Sequence, residues 1–380
     1  MSKLLSSSTQ TNPNSYRWAI WGAKRARSAR AWRDWANLGD GPAGVIAELL
    51  LASDVADFVS FRSVCRRWRL CSIDPHAHGI LDTRFHPRQR QWITLRGTWW
   101  ATRGSPYCLG FLNESTGCSR YLQLQELHGH DVFGPTTEGL LVLVDRNTYA
   151  VRLLNPFTRQ AAKLPSITTL MSERDVMRLK DTGSRPGDTD WTVVHRGTFF
   201  RPAVSCAGRF YCATNRAVMV VETSADQPPR LAVAANLIRP FYRIMLDSVH
   251  LVDNGGELML VDRKCPGHSE REYEVYRLDL DAREMVPVRG FGGRAVFIGR
   301  QLTRSVSPLV FPSIDADSIY LGFESHMTGE LDNSPIHLMD GTSSPRPFPF
   351  KFSIEGSPLH GPLGIDDYLS WSVIGYRINP

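Results

Sequence analysis

The chain has 380 residues, room for one large domain or two smaller ones, and its 42% hydrophobic and 22% charged residues are globular proportions. No run approaches the roughly 18 consecutive apolar residues of a membrane span, so none is expected. The net charge of +6 is concentrated in residues 1–33, where seven basic residues (Lys3, Arg17, Lys24, Arg25, Arg27, Arg30, Arg33) meet no acid; the rest of the chain stands at −1, which argues against a broad nucleic-acid surface.

Residues 1–34 read as a basic leader, rich first in Ser, Thr and Asn and then in Arg. Three readings compete. Polar low-complexity ends rarely fold, which favours a solvated disordered tail. Lys24-Arg25-Ala26-Arg27 suits a nuclear-import patch, and an Arg- and Ser-rich, acid-free start is also the mark of a transit peptide. A secretory signal is disfavoured by the lack of an apolar core. The expected location is the nucleus or cytoplasm, with organellar targeting by residues 1–33 left open.

Residues 35–75 carry three short helical patterns. From Gly44 to Leu51, Val45, Ile46, Leu49 and Leu50 form a stripe on one helix face. Ser53 is the expected cap of the next helix, with Asp54 in its first turn. Val55, Phe58 and Val59 recur at helical spacing, as do Phe61, Val64, Cys65 and Trp68, while Arg62, Arg66, Arg67 and Arg69 fall mostly opposite. So small a unit is marginal alone, and part of its apolar surface is expected to be covered by a partner or by the following domain. Cys65 is expected to pack in the core. An ordinary helical cap on the C-terminal domain is the alternative.

This stretch resembles an F-box. Leu38, then Val45-Ile46-Ala47-Glu48-Leu49-Leu50, Asp54-Val55-Ala56-Asp57-Phe58 and Phe61-Arg62-Ser63-Val64-Cys65-Arg66-Arg67-Trp68-Arg69 follow its order and spacing, the ending being the specific part. F-boxes usually open Leu-Pro; here Leu38 precedes Gly39, and proline comes only at Pro42. The resemblance implies docking of a Skp-type adaptor, and through it a cullin, by Leu38, Val45, Ile46, Leu49, Leu50, Val55, Phe58, Val64 and Trp68.

Residues 76–380 change in texture. Short apolar runs alternate with turn signals: Gln91–Leu95, Leu140–Val144, Val151–Leu154, Thr192–His195, Arg209–Ala213, Ala217–Val221, Ser248–Val252, Glu257–Val261, Glu272–Leu278, Arg294–Ile298 and Ser318–Phe323. Their β-branched and aromatic content predicts strands. Asp145-Arg146-Asn147, Thr214-Asn215-Arg216 and Asp253-Asn254-Gly255-Gly256 predict hairpin turns. A weak repeat of strand, turn, strand, then an Asp, Asn or Glu and a drop to proline places second strands to end near 155, 222, 279 and 340. The expected fold is therefore mixed: a small all-α module followed by a large all-β domain, a degenerate β-propeller. An irregular β-sandwich is the alternative.

Asn155-Pro156-Phe157-Thr158-Arg159 with Leu164-Pro165, and Ala295-Val296-Phe297-Ile298-Gly299 followed by Ser305-Val306-Ser307 and Asp317-Ser318-Ile319-Tyr320, resemble the kelch-related C-terminal region of a large plant F-box family. That resemblance implies a ubiquitin-ligase adaptor with a protein substrate.

Chemistry is sparse. There is no P-loop, no GxGxxG after a strand, no HExxH and no GxSxG. Gly290-Phe291-Gly292-Gly293 has no Lys-Ser/Thr behind it and reads as a loop. Asp279 and Asp281 sit in turn-like sequence, where Asp serves the backbone. Trp99-Trp100 suits a core or interface more than a binding platform. The seven cysteines show no CxxC pair, which argues for free thiols in a reducing compartment. His76/His78 and His128/His130 lack a zinc-pattern set of Cys or carboxylates, so no metal is expected. The chain is read as a non-catalytic adaptor without cofactor, membrane or nucleic acid. The alternative is an enzyme or small-ligand-binding propeller with the helical module as a structural cap.

Overall fold

The computed structural model describes residues 35, 38–87, 92–95, 107–136, 138–169, 182–183, 191–194, 203–214, 216–224, 227–238, 249–264, 272–299, 302–321, 336–338 and 369. The leader, Trp99-Trp100, Asn215, Cys265 and the ends of several expected strands lie outside them. The chain divides into two compact units, 1–74 and 75–380.

The first unit holds helices α1 (Asp40–Ser53), α2 (Val55–Val64) and α3 (Arg66–Leu70), each touching the other two. Helix α1 starts four residues before the expected Gly44. Pro42 fits in its first turn, where backbone N–H groups lack helical acceptors anyway. The N-cap is Gly39 at φ +90°, a conformation that proline cannot adopt, so a Leu-Pro opening is incompatible with this entry into α1.

Two details of the junctions differ from the sequence reading. Asp54, not Ser53, caps α2, its carboxylate accepting the Ala56 N–H at 2.8 Å. The pattern Phe61 to Trp68 is split at Cys65, whose extended backbone ends α2 and whose Sγ accepts the Trp68 N–H at 3.4 Å. Cys65 is a half-buried cap rather than a core residue. Ala43, Ala47, Val55, Ala56, Phe58 and Phe61 are the buried residues of α1 and α2. Trp68 stacks on Phe61 with ring centroids 4.5 Å apart.

Residues 75–380 form an all-β unit arranged as a five-bladed β-propeller. The first sheet is β1 (Trp92–Leu95), β2 (Cys108–Asn113) and β3 (Ser119–Gln123). The second is β4 (His130–Pro135), β5 (Leu141–Asp145), β6 (Val151–Leu154) and β7 (Ala161–Leu164). A small pair, β8 (Thr182–Gly183) and β9 (Thr192–Val193), precedes the third sheet: β10 (Ala203–Cys206), β11 (Arg209–Ala213), β12 (Ala217–Glu222) and β13 (Arg230–Asn236). The fourth is β14 (Val249–Asn254), β15 (Glu257–Lys264), β16 (Glu272–Asp279) and β17 (Glu284–Val288). The first four sheets are antiparallel meanders in chain order.

The fifth sheet comprises β18 (Ala295–Ile298), β19 (Thr303–Val306), β20 (Ser318–Leu321) and β21 (Ile336–His337), and breaks that order. Its spatial sequence is β19-β18-β20-β21, and β18 pairs parallel with β20. Strand β19 thereby comes to lie beside β14 of the fourth sheet.

Neighbouring sheets share cores, which distinguishes a propeller from the sandwich alternative. Val218 and Ala235 pack with Leu251 and Leu260 across the third and fourth sheets. Val252 and Val261 pack with Val296 and Ile319 across the fourth and fifth. Ile93, Leu95 and Leu112 of the first sheet join Phe297, Val306 and Tyr320 of the fifth, with Leu369 buried among them, and so close the ring. Phe157 of the second sheet meets Trp92 and Phe111 of the first at 5.0 and 5.4 Å between centroids.

One local device recurs in the hairpins. Asn113, Asp145, Asn155 and Asp279 each end a strand and accept backbone N–H groups two and three residues ahead. The residue four places on (Gly117, Tyr149, Arg159, Arg283) takes a positive φ that turns the chain back. This is the physical content of the Asp or Asn found at the strand ends of the repeat.

Candidate functional site

Two places carry functional potential, one in each unit. On α1, Val45, Ile46 and Leu49 are exposed, Leu49 by 66%. The predicted stripe thus faces outward, and α1 is anchored instead through small Ala43 and Ala47. Val64 and Leu70 add exposed apolar surface on α2 and α3. Leu38, Leu50 and Trp68 are half-buried. Val55 and Phe58 are buried, and so form the support of the face rather than the face itself. Trp68 is also spoken for, since its indole N–H donates to the Trp35 carbonyl at 3.2 Å.

Arg62 falls opposite the apolar positions of its helix, and there it is engaged with the backbone that follows α3. Its guanidinium donates to the carbonyls of Arg69, Ser72 and Ile73 at 3.2, 3.0 and 2.6 Å and to Asp74 at 3.3 Å. It gathers the end of α3 and the segment that follows. Burial lowers its pKa, opposed by Asp74. Arg67 pairs with Asp40 at 3.1 Å on the exposed side.

In the propeller unit, a cavity of about 490 Å³ is lined by residues of all five blades. Glu114 and Ser115 come from the β2–β3 turn, Thr136 follows β4, Val204 and Ser205 lie on β10, Asp253 on β14 and Arg304 and Ser305 on β19. Arg294 Nη2 donates to Glu114 at 3.0 Å and to the Ser305 carbonyl at 2.8 Å. The Ser305 hydroxyl donates to Asn254 at 2.5 Å, and Asn254 donates to the Phe291 carbonyl at 3.0 Å. Asp253 accepts the Gly256 N–H at 2.7 Å.

Burial pushes the Glu114 carboxyl above its usual range, opposed by the charges of Arg304 and Arg294. Burial likewise lowers the Arg304 pKa, with Glu114 and Asp253 opposing. None of these four charged residues was singled out for chemistry in the sequence. Asp253 read as a turn and Arg294 as the start of a strand. Only ring closure brings Glu114 to Arg294, and nothing local announces it.

The glycine-rich loop 290–293 is not part of this network of charges. Gly292 and Gly293 take positive φ, and the Asp317 carboxylate accepts the N–H groups of Phe291 and Gly293 at 2.6 and 3.1 Å. The nest that such a loop offers an anion is filled by the protein's own side chain. His130 is held by the His128 carbonyl at 2.8 Å, and no group of His, Cys, Asp or Glu among the described residues is arranged to hold a metal. No described helix is long and apolar enough to cross a membrane.

Residues 111–335 match the model of the family described as KIB1-4 beta-propeller. No curated protein matches the chain.

Proposed function

The chain belongs to the KIB1-4 beta-propeller family, and from that premise we propose that it is a substrate-recognition adaptor of a Skp–cullin–F-box ubiquitin ligase. A β-propeller is a scaffold for protein interaction, its loops variable and its blades rigid. The helical unit resembles an F-box in the order and spacing of its residues. The observation that carries the reading is the exposure of Val45, Ile46 and Leu49 on α1: three large apolar side chains on one helix stripe, left outward while alanines anchor the helix.

In this reading the Skp-type adaptor covers that stripe together with Leu38, Leu50 and Val64, and brings a cullin with it. Val55, Phe58 and Trp68 hold the shape of the face. The propeller binds a protein substrate, and the chain itself is not catalytic. It raises the effective concentration of the substrate's lysines near a ubiquitin-loaded enzyme. The site of action is the nucleus or cytoplasm.

The test is co-expression of the full chain with a Skp-type adaptor, followed by size-exclusion chromatography. A one-to-one complex that is lost with Leu49→Asp is the expected result. A folded chain that forms no complex would overturn the reading. The charged five-blade cavity then favours the second one, a small-ligand-binding propeller with the helical unit as a cap.

A further inference from the structure

The half-buried Arg304 guanidinium has no direct partner among the described residues. Among the described residues it makes no hydrogen bond and no close ion pair; Glu114 and Asp253 act on it only through their charge. Its neighbour Arg294 is by contrast engaged through Nε and Nη2, with Glu114 and Ser305. Arg304 is half-buried, and it lines the cavity. A guanidinium withdrawn from bulk water without hydrogen bonds is costly, and proteins keep such groups where a ligand completes them.

We propose that the five-blade cavity binds a small organic monocarboxylate, its carboxylate held by Arg304 and its apolar body by Phe210, Val204 and Val310. Three features select that chemistry. A planar guanidinium matches a carboxylate with two parallel hydrogen bonds. Glu114 and Asp253 already face the cation, so a second negative charge, as on phosphate, is repelled. The lining also holds apolar Val204, Val310 and Phe210, the last 37% exposed. The volume of about 490 Å³ lies in the range of small-molecule sites and suits a free acid rather than a folded partner. The site is independent of the helical unit and of its adaptor.

The experiment measures binding of 3-phenylpropionate, 3-phenylpropionamide, inorganic phosphate and a short peptide with a free C-terminal Phe to the full chain, by ligand-observed NMR. The acid is expected to bind at least about tenfold tighter than its amide, since a charge-assisted pair is lost. Arg304→Gln should abolish that difference, and Arg304→Lys should retain part of it. The unliganded Arg304→Gln protein should melt no lower than the parent, because an unsatisfied charge has been removed. Equal binding of acid and amide, no saturable binding of the acid, displacement of the acid by phosphate, or binding by the peptide alone would each overturn the proposal. So would a lower melting temperature for Arg304→Gln, which would make Arg304 a structural counter-ion of Glu114 and Asp253.

Discussion

Asn155 donates from Nδ2 to the Phe85 carbonyl at 2.7 Å, while its Oδ1 accepts the N–H groups of Phe157 and Thr158 at 3.1 Å. One fully buried side chain thus shapes the turn after β6 and ties the segment that opens the propeller unit to the second blade. Gln160 repeats the tie, donating to the Pro75 carbonyl at 2.6 Å. Asn155→Ala leaves a buried carbonyl and two turn N–H groups without their partner, and should cost about 2–3 kcal/mol. Urea unfolding of the propeller unit measures it. A loss below about 0.5 kcal/mol, the scale of an indifferent surface change, would show the tie to be incidental.

Leu49 and Phe58 separate surface from support. Leu49→Asp should leave stability within about 0.5 kcal/mol of the parent, as expected at an exposed site, while adaptor binding falls. Phe58→Ala, at a side chain only 1% exposed, should destabilise the helical unit by about 3–5 kcal/mol. Circular dichroism melting beside a quantitative pull-down distinguishes them. Equal losses of stability would remove the distinction between face and core.

Gly290 lies against Asp317: a Cβ there would sit 2.5 Å from the carboxylate oxygen that organises the loop. Gly290→Ala must displace Asp317 from the Phe291 and Gly293 N–H groups. The expected result is destabilisation comparable to that of Asp317→Ala, with the double variant less than additive because the two share one interaction. Full additivity in denaturant unfolding would contradict the coupling.

Arg283 tests the hairpin device. It is exposed and sits at φ +58°, where an L side chain is strained by about 1 kcal/mol or more. Arg283→Gly should raise the urea midpoint or leave it unchanged, against the usual loss on placing glycine in a fixed backbone. A clear drop would mean that the side chain contributes something the turn geometry does not reveal.

Asp82 gives a pH signature. The forked hydrogen bonds from Arg84, the shortest at 2.7 Å, hold its carboxyl down at about 2 against an ordinary 3.8. The folded value lies below the unfolded one, so this stabilisation is complete above 3.8 and is lost as pH falls through about 2. In a carbon-detected NMR titration, Arg84→Ala should return the midpoint toward 3.8. An unmoved midpoint would assign the depression to the backbone N–H of residue 84.

Each of the eleven expected strand segments overlaps a strand of the propeller unit, and the repeat marks the middle hairpins of the second, third and fourth sheets. These are the positions where β-branched residues and Asp or Asn turns coincide. What escaped the sequence were edge strands: Ser119–Gln123, exposed or half-buried and mixed in polarity, and Arg230–Asn236, whose apolar residues are mostly alanine rather than the β-branched and aromatic types that mark a strand. The fifth sheet was legible only as pieces, because the parallel pairing of Val296 with Ile319 leaves no hairpin between them to read. The helical stripe was legible, but not its direction. That Ala43 and Ala47 face inward, and Leu49 outward, depends on how closely α1 approaches its neighbours. The cavity was illegible for a similar reason: its charges come from turns and strand ends far apart in sequence.

The shared core of Ile93, Leu95, Phe297 and Tyr320 imposes an order on synthesis. The first blade leaves the ribosome with one apolar face open, and its partner is among the last parts of the domain to be made. Until then the nascent chain carries an unfinished seam, and contacts of such long sequence separation form slowly. Open repeat arrays lose stability in steps as repeats are removed. A closed ring has no such tolerance, and a chain cut short of Ala295 lacks the whole surface that seals its beginning.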